Sequence, residues 1–280
     1  MAYRNFADRT RVEYQNDLED FIEFAEKAGV IYAKEAGLPV VERFIAGLEQ
    51  KGFSSLTRKR KVVSIRSFFS FLYQDGYIHT NIASRIVLPF IGTTTPHILT
   101  QTECSQLQAA CAVSPRDTAI IELLLQTGIK LSELTHLTSN DLDLRNGSGV
   151  EERDSGFVRI LGGGRRKDRI VPLNAKAVIA LRDYLDGKKP GNGILFLNRF
   201  GEPLGERGVQ KMLRKYLKRA GIGGASIHTL RHTFGAYHLA TGMSLKSVQE
   251  IMGHRDSRST TVYRSLAKNV SSRKIRSNSL

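Results

Sequence analysis

The sequence predicts a mainly α-helical protein with one small β-sheet, divided into an N-terminal and a C-terminal domain. Three observations carry this expectation. Apolar residues recur at helical spacing through most of the chain, a proline- and threonine-rich break falls near residue 90, and two short β-type runs flank a glycine-rich turn in the second part. The 280 residues, 41% apolar and 25% charged, suffice for real hydrophobic cores.

Residues 1 to 90 read as helices only. Tyr14, Leu18, Phe21, Ile22 and Ala25 recur at helical spacing, as do Val41, Phe44, Ile45 and Leu48, with Gly29, Gly37-Leu38-Pro39 and Gly52 as punctuation. A third helix opens at Ser54, Ser55 or Thr57 and carries Val62, Ile65, Phe68, Phe69 and Leu72 as its stripe. Near its start stand Arg58, Lys59, Arg60, Lys61 and Arg66 with no acid among them, which makes them candidate DNA-binding residues. The segment from Leu88 to His97 holds two prolines, a glycine and three threonines, so the domains are expected at 1–92 and 98–280 with a linker at 93–97.

In the second domain helices are expected near 101–111, 115–126, 132–137, 175–186, 206–220, 229–240 and 244–252. Ser114 as cap, Pro115 at the first helical position and Gly128 past the end mark the second of these. Phe157 to Leu161 and Arg169 to Leu173 flank Gly162 to Lys167, the pattern of a β-hairpin with a glycine-rich, basic turn. No solenoid repeat is visible. The serine-rich, basic tail after Lys268 is expected to lack order, and Leu266, Val270 and Ile275, the few apolar residues after Tyr263, are available to dock on a neighbouring protomer.

Lys and Arg total 42 against 27 acids, a net charge of +15 that suits a polyanionic partner, with basic residues spread over solvated helix faces as the alternative. No run of about 18 apolar residues and no signal-type core suggest a membrane span or export, so a cytoplasmic protein is expected. Cys104 and Cys111, seven residues apart on one helix face, read as small core hydrophobes rather than a disulfide framework.

The chemistry concentrates near the C-terminus, in His228-Thr229-Leu230-Arg231-His232, then Gly253-His254, then Tyr263. An arginine one helical turn from a histidine suits the non-bridging oxygens of a phosphate, and a later histidine adds a donor. A phenol, with an ordinary pKa of about 10, attacks phosphorus at neutral pH only with help from cations or a base. His228 and His232 also have the i, i+4 spacing of zinc ligands, but Thr229 stands where a zincin has glutamate. Taken singly, His232 and His238 also read as ordinary half-buried histidines.

Together these segments resemble the phage-integrase family of tyrosine recombinases, closest to its compact Xer-like members. Thr127-Gly128-Ile129-Lys130-Leu131-Ser132-Glu133-Leu134 resembles the first active-site box, His228 to His232 the second, and Gly253-His254 with Tyr263 nine residues on the third. Lys167-Asp168-Arg169-Ile170-Val171-Pro172-Leu173 is similar to the end of the family's β2–β3 hairpin, and the first 90 residues to its helical, SAM-like core-binding domain, including Asn81. The resemblance implies a clamp on duplex DNA formed by the core-binding domain and a tyrosine-recombinase catalytic domain. It also implies cleavage without metal or other cofactor through a 3′-phosphotyrosyl intermediate, a Holliday junction, and a homo-tetramer on two DNA duplexes. By position Arg231 would hold the phosphate, His228 would transfer protons, His254 would donate a hydrogen bond and Tyr263 would attack.

Two positions depart from the pattern. Lys130 stands where the family has its first arginine, a point charge in place of a planar fork. The hairpin lysine falls on Gly164, so either Lys167, Arg165 or Arg166 takes its place as acid and phosphate contact or that acid is missing. The alternatives to a recombinase are a DNA-binding protein on this scaffold with impaired cleavage and a type IB topoisomerase-like enzyme.

Overall fold

The structure is a computed structural model that describes residues 8–90, 92, 95–144, 156–162, 167–186, 193–254 and 258–277. The chain divides into two compact units, Met1–Thr94 and Thr95–Leu280.

The first unit is built from α1 (Asp8–Lys27), α2 (Leu38–Gln50) and α3 (Ser55–Gln74). Phe21, Val41, Phe44, Leu48, Val62, Ile65 and Phe69 form its core. Phe21 meets Phe44 edge-on at 5.3 Å and Phe69 at 5.9 Å, the geometry that aromatic quadrupoles favour. Ile22, on the expected stripe, is instead 47% exposed on the outer side of α1. Ser54 caps α3, its Oγ accepting from the Thr57 amide at 3.2 Å.

Within the second unit α4 (Gln101–Cys111) and α5 (Pro115–Thr127) lead to the short α6 (Leu131–Thr135). A three-stranded antiparallel sheet follows, β1 (Leu142–Leu144), β2 (Gly156–Ile160) and β3 (Arg169–Leu173), in the order β1-β2-β3. Val158 stands opposite Leu142 on one side and Val171 on the other, so the buried residues of the sheet share one face. Five more helices complete the unit: α7 (Ala175–Leu185), α8 (Glu206–Arg219), α9 (Ile227–Ala240), α10 (Leu245–Met252) and α11 (Arg258–Ser277).

α5 is the central helix, buried almost all round through Ala119, Ile120, Ile121, Leu123 and Leu124, and it packs against α7 and α9. Ser114 caps its start and Gly128, with φ of +56°, ends it. No side chain fits there: a Cβ on Gly128 would lie 2.5 Å from Phe234 Cδ1. Cys111 is fully buried and Cys104 packs against the same core, where burial pushes the Cys104 thiol up to about 11.

The stretch after Lys268 is not an orderless tail, because α11 runs on to Ser277. Nor do Leu266 and Val270 look for a partner. Tyr263, Leu266 and Val270 recur along one face of α11 and are buried with Phe234 and Ala236 of α9 in the protein's own core. Among the described residues no helix is long and apolar enough to cross a membrane.

Candidate active site

α9 is the platform of the site. Ser226 caps its start, accepting from the Thr229 amide at 3.4 Å. Leu230, Thr233 and Phe234 enter the core, and Thr233 Oγ1 accepts from the Leu99 amide at 2.9 Å. That anchoring fixes the other face, along which His228, Arg231, His232 and Gly235 recur one turn apart. Arg231 is only 7% exposed. Its Nη1 donates to Gly128 O and its Nη2 to Met252 O at 2.5 Å. Both carbonyls belong to helix ends closed by left-handed glycines, Gly128 after α5 and Gly253 after α10. Such ends carry partial negative charge, so the guanidinium ties two helix C-termini together.

A second bracket stands beside it. Lys130, the N-cap of α6, donates through its backbone N–H to Glu133 Oε2 at 2.8 Å. Its Nζ donates to Gly253 O at 3.3 Å and lies 3.5 Å from Glu133 Oε1. Glu133 accepts a two-pronged bond from Arg169 Nη1 and Nη2, at 3.0 and 2.7 Å, while Arg169 Nε donates to Ile251 O at 2.6 Å. The φ of +62° at Gly253 favours glycine, and a Cβ there would meet Arg169 Nη1 at 2.8 Å and push the guanidinium off its present place. Burial works to raise the Glu133 carboxyl, but the Arg169 hydrogen bonds, the Lys130 amide and the two cations outweigh it and bring the pKa down to about 2.

A carboxyl depressed on folding adds stability that is present above its ordinary value of 4.5 and is lost as pH falls toward about 2. With the Glu133 side chain 11% exposed, a fall from 4.5 to about 2 is worth on the order of 3 kcal/mol. Glu133→Gln is therefore expected to lower stability at neutral pH and to flatten the acid side of the unfolding free energy, measured by urea titration across that range. An unchanged acid limb would remove Glu133 from the account.

Tyr263 comes to the platform from α11. It is 1% exposed, and burial pushes its phenol up to about 12, with Arg231 the lone counterweight. Its hydroxyl lies 3.1 Å from His232 Nδ1. Its ring rests on Gly235, where a Cβ would come within 3.0 Å of it. The His254 ring is stacked with that of Tyr263, centroids 6.1 Å apart at 13°, with its Nδ1 2.8 Å from Thr260 Oγ1. Burial, then Arg231 and Lys130, bring His254 down to about 4, so it is a neutral hydrogen-bonding group at pH 7.

Of the residues expected from sequence, Lys130, Arg231, His254 and Tyr263 converge at the ends of α5, α10 and α11. His228 is exposed, one turn before Arg231. Lys167 is exposed at the root of β3, and Gly164, Arg165 and Arg166 lie outside the described residues. Glu133, Arg169 and His232 lie within the motifs quoted from sequence but had no role assigned there, and Thr260 was not expected. The spacing of His232 between His228 and Gly235 could have marked it. The long-range partners of Glu133 and Arg169 left no local signal.

Part of the basic start of α3 is engaged in ion pairs within the N-terminal unit. Lys61 is 5% exposed, bonded to Asp17 at 3.1 Å and Asp20 at 2.5 Å, and Arg60 Nη1 bonds the same buried Asp17 at 2.7 Å. Arg58 pairs with Glu49 at 2.5 Å. Arg58, Arg60 and Lys61 thus pair with acids of α1 and α2 within the unit. Lys59 and Arg66 have no ion pair among the described residues, and Arg66 is exposed.

Solved structures with this fold include a lambda integrase dimer bound to a COC′ core site, at a TM-score of 0.76, 16% identity, 94% coverage of this chain and 90% of that one. XerH bound to a palindromic difH substrate gives a TM-score of 0.73 at 20% identity, over 92% and 76% of the two chains. The fold is thus that of the tyrosine recombinases. In sequence, residues 97–269 match the phage integrase family and residues 1–76 the phage integrase N-terminal SAM-like domain. Tyrosine recombinase XerC of Pelotomaculum thermopropionicum is 34% identical over 280 residues, 93% of this chain and 88% of the relative. Tyrosine recombinase XerD of Chlorobaculum tepidum is 33% identical over 274 residues, 93% and 86% of the two chains. The chain belongs to the phage integrase family, as a tyrosine-type site-specific recombinase.

Proposed function

We propose that the protein cleaves and rejoins duplex DNA at a specific site. Tyr263 attacks a phosphodiester, stores its energy as a 3′-phosphotyrosyl bond and needs no cofactor, and four copies act on two duplexes. The observation that carries this reading is the convergence of Arg231, Lys130, His254 and Tyr263 within one cluster. Arg231 and Lys130 supply the positive charge that a five-coordinate phosphorus requires, and neutral His254 supplies a hydrogen bond. Lys167 is the described candidate for protonating the leaving 5′-oxygen. The relatives carry recombinase names, and the XerH complex holds its difH substrate.

The test uses nicked duplexes with a randomised centre, selected for covalent attachment under denaturing conditions. Wild-type protein is expected to enrich one site and to carry a DNA adduct. Tyr263→Phe removes only the attacking oxygen and keeps the ring's packing, so affinity for that site should persist while the adduct disappears. An adduct that survives in Tyr263→Phe would move the nucleophile elsewhere.

Binding should weaken with salt, log K falling by roughly 0.9 per log salt for each phosphate neutralised. Lys59→Ala and Arg66→Ala are each expected to reduce that slope by about 1, as loss of one phosphate contact does. Lys61→Ala should instead lower stability, because it removes one of the two cations that hold the buried Asp17 and leaves its Oδ1 without that partner. Anisotropy titrations between about 50 and 200 mM salt decide this, and equal slopes for all three variants would place the DNA on another surface.

A further inference from the structure

The proton on Tyr263 has one evident destination, and it is not the histidine that family position suggests. Among the described residues, the side chain bonded to the Tyr263 hydroxyl is His232, at 3.1 Å through Nδ1. His228 is exposed a full turn away, and His254 has its Nδ1 occupied with Thr260 at 2.8 Å. Bulk water does not reach a phenol that is 1% exposed. We propose that His232 is a catalytic residue, the general base that takes the Tyr263 proton in cleavage and the acid that returns it in rejoining. The inference rests on the reading of Tyr263 as nucleophile.

The step balances as follows. A lone pair of the Tyr263 oxygen forms the O–P bond as its O–H bond breaks, and the proton passes to Nδ1, leaving His232 an imidazolium. The P–O bond to the 5′-oxygen breaks and that oxygen takes a proton from an acid, for which Lys167 is the candidate. In rejoining, the 5′-hydroxyl attacks phosphorus and gives up its proton to that group, while imidazolium Nδ1 reprotonates the departing phenolate.

The surroundings keep His232 ready for this. The titratable groups facing it are His228 and Arg231 from its own helix, Tyr263 from α11 and His254 from the segment after α10. None of these is a carboxylate, and no carboxylate among the described residues shifts the ring. Burial first, then His228 and Arg231, lower its pKa, so the free base is present at neutral pH and is lost only on the acid side. Gly235, one turn on, lets the Tyr263 ring lie flat enough on α9 for its hydroxyl to meet Nδ1.

The experiment measures single-turnover phosphotyrosine formation against pH for wild type, His232→Gln and His232→Ala on the selected DNA, with melting temperature and affinity as checks on folding. The wild-type rate should be flat near neutrality and fall on an acid limb below about pH 6.5. Both variants should be about 10²- to 10⁴-fold slower, should lack that limb, and His232→Ala should be rescued by added imidazole. DNA with sulfur as the leaving 5′-atom needs no acid, so it should restore a Lys167→Ala protein but neither His232 variant. Wild-type rates in both variants, or slow rates with an unchanged pH profile and no rescue, would overturn the inference alone. A wild-type protein that forms no adduct would overturn the reading of Tyr263 and the inference with it.

Discussion

Lys130→Arg is expected to speed phosphotyrosine formation by about 10²- to 10³-fold while leaving DNA affinity nearly unchanged, because one properly aimed donor to a developing oxyanion is worth that much in rate. Lysine already supplies the charge. Its ammonium is spent on Gly253 O at 3.3 Å and on Glu133 Oε1 at 3.5 Å, the latter also held by Arg169 Nη1 at 3.0 Å. A guanidinium at that position could keep one prong on the Gly253 carbonyl and present the other to a phosphate oxygen, which a point charge does less well. The check is the single-turnover rate of both proteins on the same nicked duplex. Equal rates would mean that the Glu133–Arg169 bracket has adapted the site to lysine.

Arg231→Lys is expected to have the opposite and larger effect, slowing cleavage by at least about 10³-fold and destabilising the C-terminal unit. The guanidinium spans Gly128 O and Met252 O, and a single ammonium does not reach both helix ends with the same geometry. Hydrogen bonds to charged groups contribute about 1.5 to 3 kcal/mol each. Losing one at a site 7% exposed should lower the melting temperature by several degrees, at roughly 2 to 4 °C per kcal/mol for a unit of this size. Calorimetry and the cleavage rate together decide this. A variant with normal melting but no cleavage would confine Arg231 to the phosphate, and one with both intact would remove it from the site.

The parts of the fold that were legible in sequence are those fixed by neighbours in the chain. Ser114 caps the helix that follows and Gly128 closes it in the left-handed region, as the local pattern indicates, and Ser54, one of the three residues offered for the start of α3, is its cap. The hairpin strands β2 and β3 fall within a residue of expectation for the same reason. Three residues are too few to show a period, so β1 at Leu142–Leu144 went unseen until its partner strand placed it. Distance along the chain hid the rest. The run from Arg58 to Lys61 looks unopposed because its acids, Asp17, Asp20 and Glu49, come from other helices, Asp17 lying 44 residues before Lys61. The motif residues of the site were readable from order and spacing, while Glu133–Arg169 and His232–Tyr263 exist only once β3 and α11 have docked.

The enclosure of Tyr263 has a meaning for reagents as well as for DNA. Nitration and iodination of phenols require an accessible ring that ionises readily, and Tyr263, 1% exposed with its pKa pushed up to about 12, meets neither condition. Tyr32 and Tyr77, exposed on the N-terminal unit, would react first. Modification of Tyr263 then requires α11 to lift from Gly235 and Phe234, so the protein carries its own chemical clock for that separation, readable without any substrate.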